Sequence, residues 1–337
     1  MSQRNKKKIG KKIALYTGLF FLLGILLATG ALLLSMRPPE GNVTLNRSGR
    51  VDNGLETFNE NKAAVPQSPP SEKQKQIYTF LVAGKDKVSD NTDTIMLVKL
   101  DITDKKINIL HIPRDTMLDT NRKAKKVNAS YMLGGIEQFE QDVATLTGFY
   151  VNRYVIFDIK GVEKIIDAIG GVYFDVPRNM HYEDPTQNLS IHISKGYQHL
   201  NGENAVKLAR YRSGYRDGDI GRIGVQQELL KALAAQALKP ENFLKLPELV
   251  QLISENIETD IDLGNMLWLA NQVKDFPLDS IETFLLPGVA SMVDGLSYWL
   301  PYKNELLDLI NNEFNPLSEP ITENDISIPI YPENKGK

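Results

Sequence analysis

Residues Ile13 to Met36, IALYTGLFFLLGILLATGALLLSM, run for 24 positions without a charged side chain. No other stretch constrains the chain so tightly, because so long an apolar segment must be buried along its whole length. As a helix it spans roughly 36 Å at ~1.5 Å per residue, more than the ~30 Å hydrocarbon core of a bilayer. The segment before it, RNKKKIGKK, carries six positive charges and no acid. Basic residues stay on the cytoplasmic side, so the remainder of the chain is expected outside the membrane. A cleaved signal peptide fits less well, since its apolar region is shorter and no A-x-A site follows. The expected layout is a basic cytoplasmic segment (1–12), a transmembrane signal-anchor helix (13–36), a tether (37–76), a folded domain (77–314) and a loose tail (315–337). The tether and tail are assigned on their polarity and prolines.

The charge balance bears on partners once the anchor is set aside. Of 39 Lys and Arg, six precede the span, so 33 face 42 acidic residues and the external part carries about −9. General nucleic-acid binding needs a basic surface and is disfavoured. The absence of cysteine excludes disulfides, thiolate metal sites and cysteine nucleophiles. The four histidines, His111, His181, His192 and His199, match no familiar zinc spacing.

Periodicity assigns strands to 77–84, 93–101, 106–112, 149–159, 172–177 and 189–194. It assigns helices to 161–171, 201–210, 222–238, 247–257, 263–274 and 302–312. The fold class expected is α/β: a layered α-β-α single domain on a central mixed, largely antiparallel sheet.

Polar residues gather at one predicted sheet edge. The four-residue ITDK connection makes 93–101 and 106–112 an antiparallel hairpin. Asp93 at the start of one strand then lies beside Arg114 and Asp115, just past the end of the other. If 77–83 pairs antiparallel with 93–101, Asp86 joins them. Two hard carboxylates suit Mg²⁺ shared with phosphate oxygens, with Mn²⁺ an acceptable substitute. Arg114 suits a phosphate. Equally, Asp86 and Asp93 are ordinary turn residues and Arg114 a surface ion pair; the residues alone leave both readings open.

RYRSGYRDGDIGRIGVQQ, residues 210–227, concentrates four arginines in an acidic domain. Arg210 and Arg212 share a side if the segment is extended. In the helix that follows, Arg222, Gln226, Leu229 and Leu233 form a stripe that begins polar and turns apolar. Its polar end is the helix N-terminus, where free N–H groups favour an anion. A plain core helix accounts for the leucines and leaves Arg210, Arg212 and Arg216 unexplained. The alternative is an arginine clamp on phosphate or pyrophosphate, with a lipid chain against the apolar face.

The segments FLVAGKD, TDTIMLVKLD, INILHIPRDT, KVNASYMLGG, VIFDIKGVEKIIDAIGGVYFDVP, GYQHLNGENAVKLARYR and GDIGRIGVQQELLKAL occur in this order. Together they resemble the LytR-CpsA-Psr family over roughly 77–240. The resemblance implies a membrane-anchored extracytoplasmic phosphotransferase. Such an enzyme moves a glycopolymer (teichoic acid, capsule or similar) from a polyprenyl-pyrophosphate carrier to a peptidoglycan acceptor. It implies Asp86 and Asp93 as Mg²⁺ ligands and Arg114, Arg210 and Arg212 as pyrophosphate contacts. Lys126, Asp219, Arg222 and Gln226 would line the same site. The general base proposed is Asp219, with Asp115 second. Two positions depart from the family pattern, which often has arginine where Asn91 and Val225 stand here. One or two phosphate contacts are then either missing or supplied by Lys85, Lys87 or Arg216. A polyprenyl-pyrophosphate phosphatase and a non-enzymatic lipid- or wall-binding module are the alternative readings.

Overall fold

The alternation read from the sequence becomes a sheet with two distinct faces. The computed structural model describes residues 36–39, 76–85, 91–184, 189–211, 219–243 and 245–335, with backbone only at 219–223, 243 and 246. Strands β1 (Ile77–Lys85), β2 (Thr92–Asp101) and β3 (Lys106–His111) pair antiparallel in sequence order. The β2–β3 turn is fixed by Asp101, whose carboxylate accepts the Asp104 N–H at 2.8 Å. After helix α1 (Ser130–Thr147), strand β4 (Arg153–Asp158) joins β1 in parallel. Helix α2 (Ile159–Ala168) follows directly, capped by Asp158, which accepts the Gly161 N–H at 2.7 Å. That cap makes the helix start two residues earlier than periodicity placed it.

Strands β5 (Val172–Val176), β6 (Met180–Asp184), β7 (Leu189–Ile193) and β8 (Gly196–Leu200) form two small antiparallel ribbons, β5 with β8 and β6 with β7. Helices α3 (Gly202–Arg210) and α4 (Asp219–Ala237) come next. They are followed by α5 (Leu246–Asn256), β9 (Ile257–Thr259) and α6 (Leu263–Val273). Strand β10 (Ile281–Leu285), the β11 (Gly288–Val293) and β12 (Leu296–Pro301) hairpin and α7 (Lys303–Leu309) complete the elements longer than one turn. The central sheet has the order β10-β3-β2-β1-β4-β9, mixed as expected, with β10–β3 and β1–β4 parallel.

Successive residues of β1 and β2 face opposite layers. Leu81, Ala83, Ile95 and Leu97 pack against Phe139, Val143 and Leu146 of α1 and Leu306 of α7. Phe80 and Leu100 face α6, while Met96 and Ile109 meet Leu230 and Ala234 of α4.

The structure corrects several expectations. Helix α1 and strands β6, β8, β9, β10, β11 and β12 were not anticipated; α1 escapes periodicity because Gly134 and Gly135 leave helical geometry within it. Residues 149–152 are not strand, since the Asn152 side chain accepts the Thr79 N–H at 2.8 Å. The tail expected to be loose is packed: Ile321, Ile326 and Ile328 are buried in the α1 layer of the core. Among the described residues no helix is long and apolar enough to cross a membrane. The span expected at 13–36, Met36 apart, lies outside the described residues, as does all of the tether except 37–39 and 76.

Candidate functional site

The β2–β3 hairpin carries Asp93 and Arg114 to one edge, and there they touch. Arg114 Nη1 donates to Asp93 Oδ1 at 2.6 Å. Arg114 Nε lies 4.0 Å from Asp115, and Asp115 accepts from Lys126 Nζ at 2.9 Å. Lys126 also stands over the Tyr298 ring, 5.4 Å from its centroid. The result is a chain of alternating charge, Asp93–Arg114–Asp115–Lys126. The Asp93 side chain is 46% exposed and Arg114 26%, so the acid faces outward and the guanidinium backs it.

Asp93 opens onto a cavity of about 180 Å³ enclosed by the sheet, α2, α3 and α4. At ~15 Å³ per water this is far more than a packing defect. Its polar wall is Lys85, Asp93, Thr94, His111, Arg210 and Gln226. The rest is apolar, including Met96, Phe157, Val162, Leu229, Leu230 and Leu233. Gly84 opens the β1 side: a Cβ there would stand 2.6 Å from Phe157 Cε2. Arg210 is the last residue of α3, where a cation suits the helix dipole. Tyr211 then turns extended, with φ −67° and ψ 125°. Gln226 Nε2 donates to the Ala209 carbonyl at 2.8 Å, tying α4 to the end of α3. Part of its amide is therefore structural, which the stripe reading did not anticipate.

The residues singled out in the sequence separate into three groups. Asp93, Arg210, Gln226, Leu229 and Leu233 line the cavity. Arg114, Asp115 and Lys126 connect to it through Asp93. Asp86 and Arg212 lie outside the described residues, and of Asp219 and Arg222 only the backbone is described, in the first turn of α4. Asn91 immediately precedes β2, and Val225 packs with the β5–β8 side of the core. Among the described residues no group of three His, Asp or Glu side chains converges to hold a metal ion.

Sequence reasoning missed His111, while Lys85, named there only as a substitute phosphate contact, stands in the cavity wall. Lys85 Nζ lies 3.4 Å from Glu258 and over the Tyr131 ring. His111 is 3% exposed, and burial lowers its pKa from 6.5 to about 4. Its signal was parity: it shares a strand face with Ile107 and Ile109, so it is polar where the pattern requires an apolar residue.

Comparison with known proteins follows this architecture. TagV of Bacillus subtilis, named a polyisoprenyl-teichoic acid–peptidoglycan teichoic acid transferase, is 32% identical over 202 residues. That alignment covers 58% of this chain and 52% of TagV, so the match spans about half the relative's length. The biofilm regulatory protein A of Streptococcus mutans is 26% identical over 90% of this chain and 76% of its own. The regulatory protein MsrR of Staphylococcus aureus is 28% identical over 69% and 67%. The crystal structure of B. subtilis TagV superposes with a TM-score of 0.61 at 28% identity, covering 70% of this chain and 95% of that one. TagT bound to LI-WTA, at 19% identity and a TM-score of 0.58, shares the fold. The LytR_cpsA_psr family model matches residues 46–315, most of the chain, and the protein belongs to that family.

Proposed function

We propose that this protein is an extracytoplasmic phosphotransferase anchored by residues 13–36. It moves a glycopolymer from a polyprenyl-pyrophosphate carrier to a peptidoglycan hydroxyl. The observation that carries the reading is one cavity with two characters: Asp93, Lys85 and Arg210 in a wall that is otherwise largely apolar. That combination suits an amphipathic ligand with an anionic head and a hydrocarbon tail. The teichoic acid transferase activity for which TagV is named supports the same reaction class.

Arg210 and Lys85 supply positive charge to the pyrophosphate, and Arg114 approaches through Asp93. Arg212 and Arg222 extend the clamp in this reading. The apolar wall, with Leu229 and Leu233, excludes water from the tail. The acceptor hydroxyl attacks the glycan-side phosphorus, and polyprenyl phosphate leaves. Asp219 is the base that takes the hydroxyl proton in this reading, with Asp115, which accepts from Lys126, second. The half-exposed Asp93 carboxylate is a hard oxygen donor that fits Mg²⁺ or Mn²⁺, with Asp86 as its companion. Such an ion, when bound, supplies charge neutralisation at the phosphate oxygens.

The test uses the full chain in detergent with a polyprenyl-pyrophosphate sugar and Mg²⁺, with and without a peptidoglycan oligomer. Mass spectrometry is expected to find a glycan-phosphate–peptidoglycan adduct, reduced at least a hundredfold in Arg114→Ala, the loss typical of an electrostatic contact at a reacting centre. Free glycan phosphate with no adduct would make the protein a phosphatase. Bound, intact lipid would make it a binding module.

A further inference from the structure

Among the described residues, His111 Nε2 is buried and has no hydrogen-bond partner. The residue sits at the end of β3, a strand paired on both sides. It is in register with Met96 of β2 and Leu285 of β10, and its carbonyl accepts the Leu286 N–H at 2.9 Å. The backbone is therefore clamped, which fixes where the ring stands in the cavity wall. A nitrogen left unsatisfied there carries an uncompensated desolvation cost, which an apolar side chain of similar size would avoid.

Depth selects its partner. Met96, level with His111 across the β2–β3 pair, packs against Leu230 and Ala234 of α4. Leu230 is one helical turn beyond Gln226, and Asp93 is three residues back along β2 toward the open edge. His111 thus lies one layer inward of Asp93 and Gln226, where the wall turns apolar. A ligand with an anionic head at the edge and a hydrocarbon tail inside places its last polar atoms at that level.

We propose that His111 Nε2–H donates a hydrogen bond to an oxygen of the lipid-side phosphate, the phosphate that leaves with the prenyl chain. This rests on the reading of the cavity given above. The ring acts as a neutral donor, and no proton is transferred. Its neutrality agrees with the depressed pKa that burial imposes. Placed there, it binds the donor lipid by the phosphate–hydrocarbon junction and stabilises negative charge on the leaving group.

The chain has four histidines, and His181, His192 and His199 are exposed, so the imidazole spectrum separates the buried one. Full-length protein labelled with ¹⁵N-histidine in detergent is titrated with farnesyl pyrophosphate, farnesyl monophosphate and farnesol. The signal missing in His111→Phe is assigned to His111. It is expected to shift with both phosphorylated probes and to stay in place with farnesol. His111→Phe is expected to weaken farnesyl monophosphate binding about tenfold, the loss of one charge-assisted hydrogen bond, with farnesol binding unchanged. His111→Gln, which keeps an N–H at similar reach, should bind within about threefold of wild type. Unchanged exposed-histidine signals verify that each variant folds. Phosphorylated probes that bind without moving the His111 signal, or that bind His111→Phe as tightly as wild type, would overturn the assignment while leaving the lipid cavity intact. Failure of wild type to bind either phosphorylated probe would remove the cavity reading, and this inference with it.

Discussion

At the scale of single residues, one buried and one half-buried titratable group oppose each other. Burial holds His111 near a pKa of about 4, against 6.5 when exposed. Between those values the unfolded chain binds a proton that the folded chain refuses. The contribution of His111 is therefore complete above pH 6.5, and it declines by about 1.4 kcal/mol per pH unit as pH falls toward 4. Glu140 behaves oppositely: burial first, then the charges of Asp260 and Glu137, raise its carboxyl from 4.5 to about 7. Its contribution is complete below pH 4.5 and lost as pH rises through 7. Glu140 is partly exposed, so solvent screening reduces its share. The two slopes oppose between pH 4.5 and 6.5. Removing either should unmask the other: Glu140→Gln loses stability more steeply than wild type from pH 6.5 down to 4, and His111→Phe loses it from 4.5 up to 7. Urea midpoints across pH 4–8 for the three proteins check this; parallel curves would mean that neither group titrates as its burial requires.

At the scale of elements, α3 is the lever on the site. Asn201 caps it by accepting the Asn204 N–H at 2.9 Å, and its far end carries Arg210. Its first residue, Gly202, lies so close to α2 that a Cβ would meet the Glu163 carbonyl oxygen at 2.0 Å. That neighbour is backbone and cannot rotate away. Gly202→Ala should therefore cost roughly 2–3 kcal/mol by forcing the helices apart. The Tm should drop by about 5–10 °C in a domain of this size. Ala205, Val206 and Ala209 of the same helix line the cavity, so farnesyl pyrophosphate affinity should fall too. An unchanged melting curve would show that α2 and α3 yield at no cost.

The element scale is also where the sequence was most legible. The ITDK turn allows only a hairpin, and the hairpin alone brought Asp93 to Arg114. The Asn201 cap is local and α3 begins at it, as read; the Asp158 cap is equally local, yet periodicity placed the start of α2 two residues late. Helix α1 was missed because paired glycines break its period. Strands β9 and β10 were missed because short runs acquire strand character only from their neighbours.

At the scale of the whole molecule, the C-terminal segment belongs to the fold. Ile321, Ile326 and Ile328 are 3%, 6% and 6% exposed within the largest core cluster. Asn311 accepts the Ile321 N–H at 2.8 Å, and Ser327 N–H reaches the Thr145 carbonyl at 2.7 Å. Burying three isoleucines stabilises by roughly 5–9 kcal/mol, comparable with the ~5–15 kcal/mol net stability of a whole domain. Truncation after Asn315 should yield an unfolded or aggregating product, seen as a lost unfolding transition. Ile326→Ala alone should cost about 2–4 kcal/mol. A truncated protein that melts like wild type would return this segment to the status of a tail.

The division between sequence and structure follows from the range of the interactions involved. Strand alternation, the hairpin and the start of α3 depend on residues a few positions apart, and those the sequence determined by itself. It also brought Asp93 and Arg114 together, because a four-residue connection leaves no other arrangement. Tertiary structure alone decided which faces were covered. It set β1 parallel to β4 and β3 parallel to β10, and it folded the last residues back onto α1. By laying α4 over β3 it also enclosed a histidine whose Nε2 has no partner among the described residues. Burial is a sum over the whole chain, and no local pattern contains it.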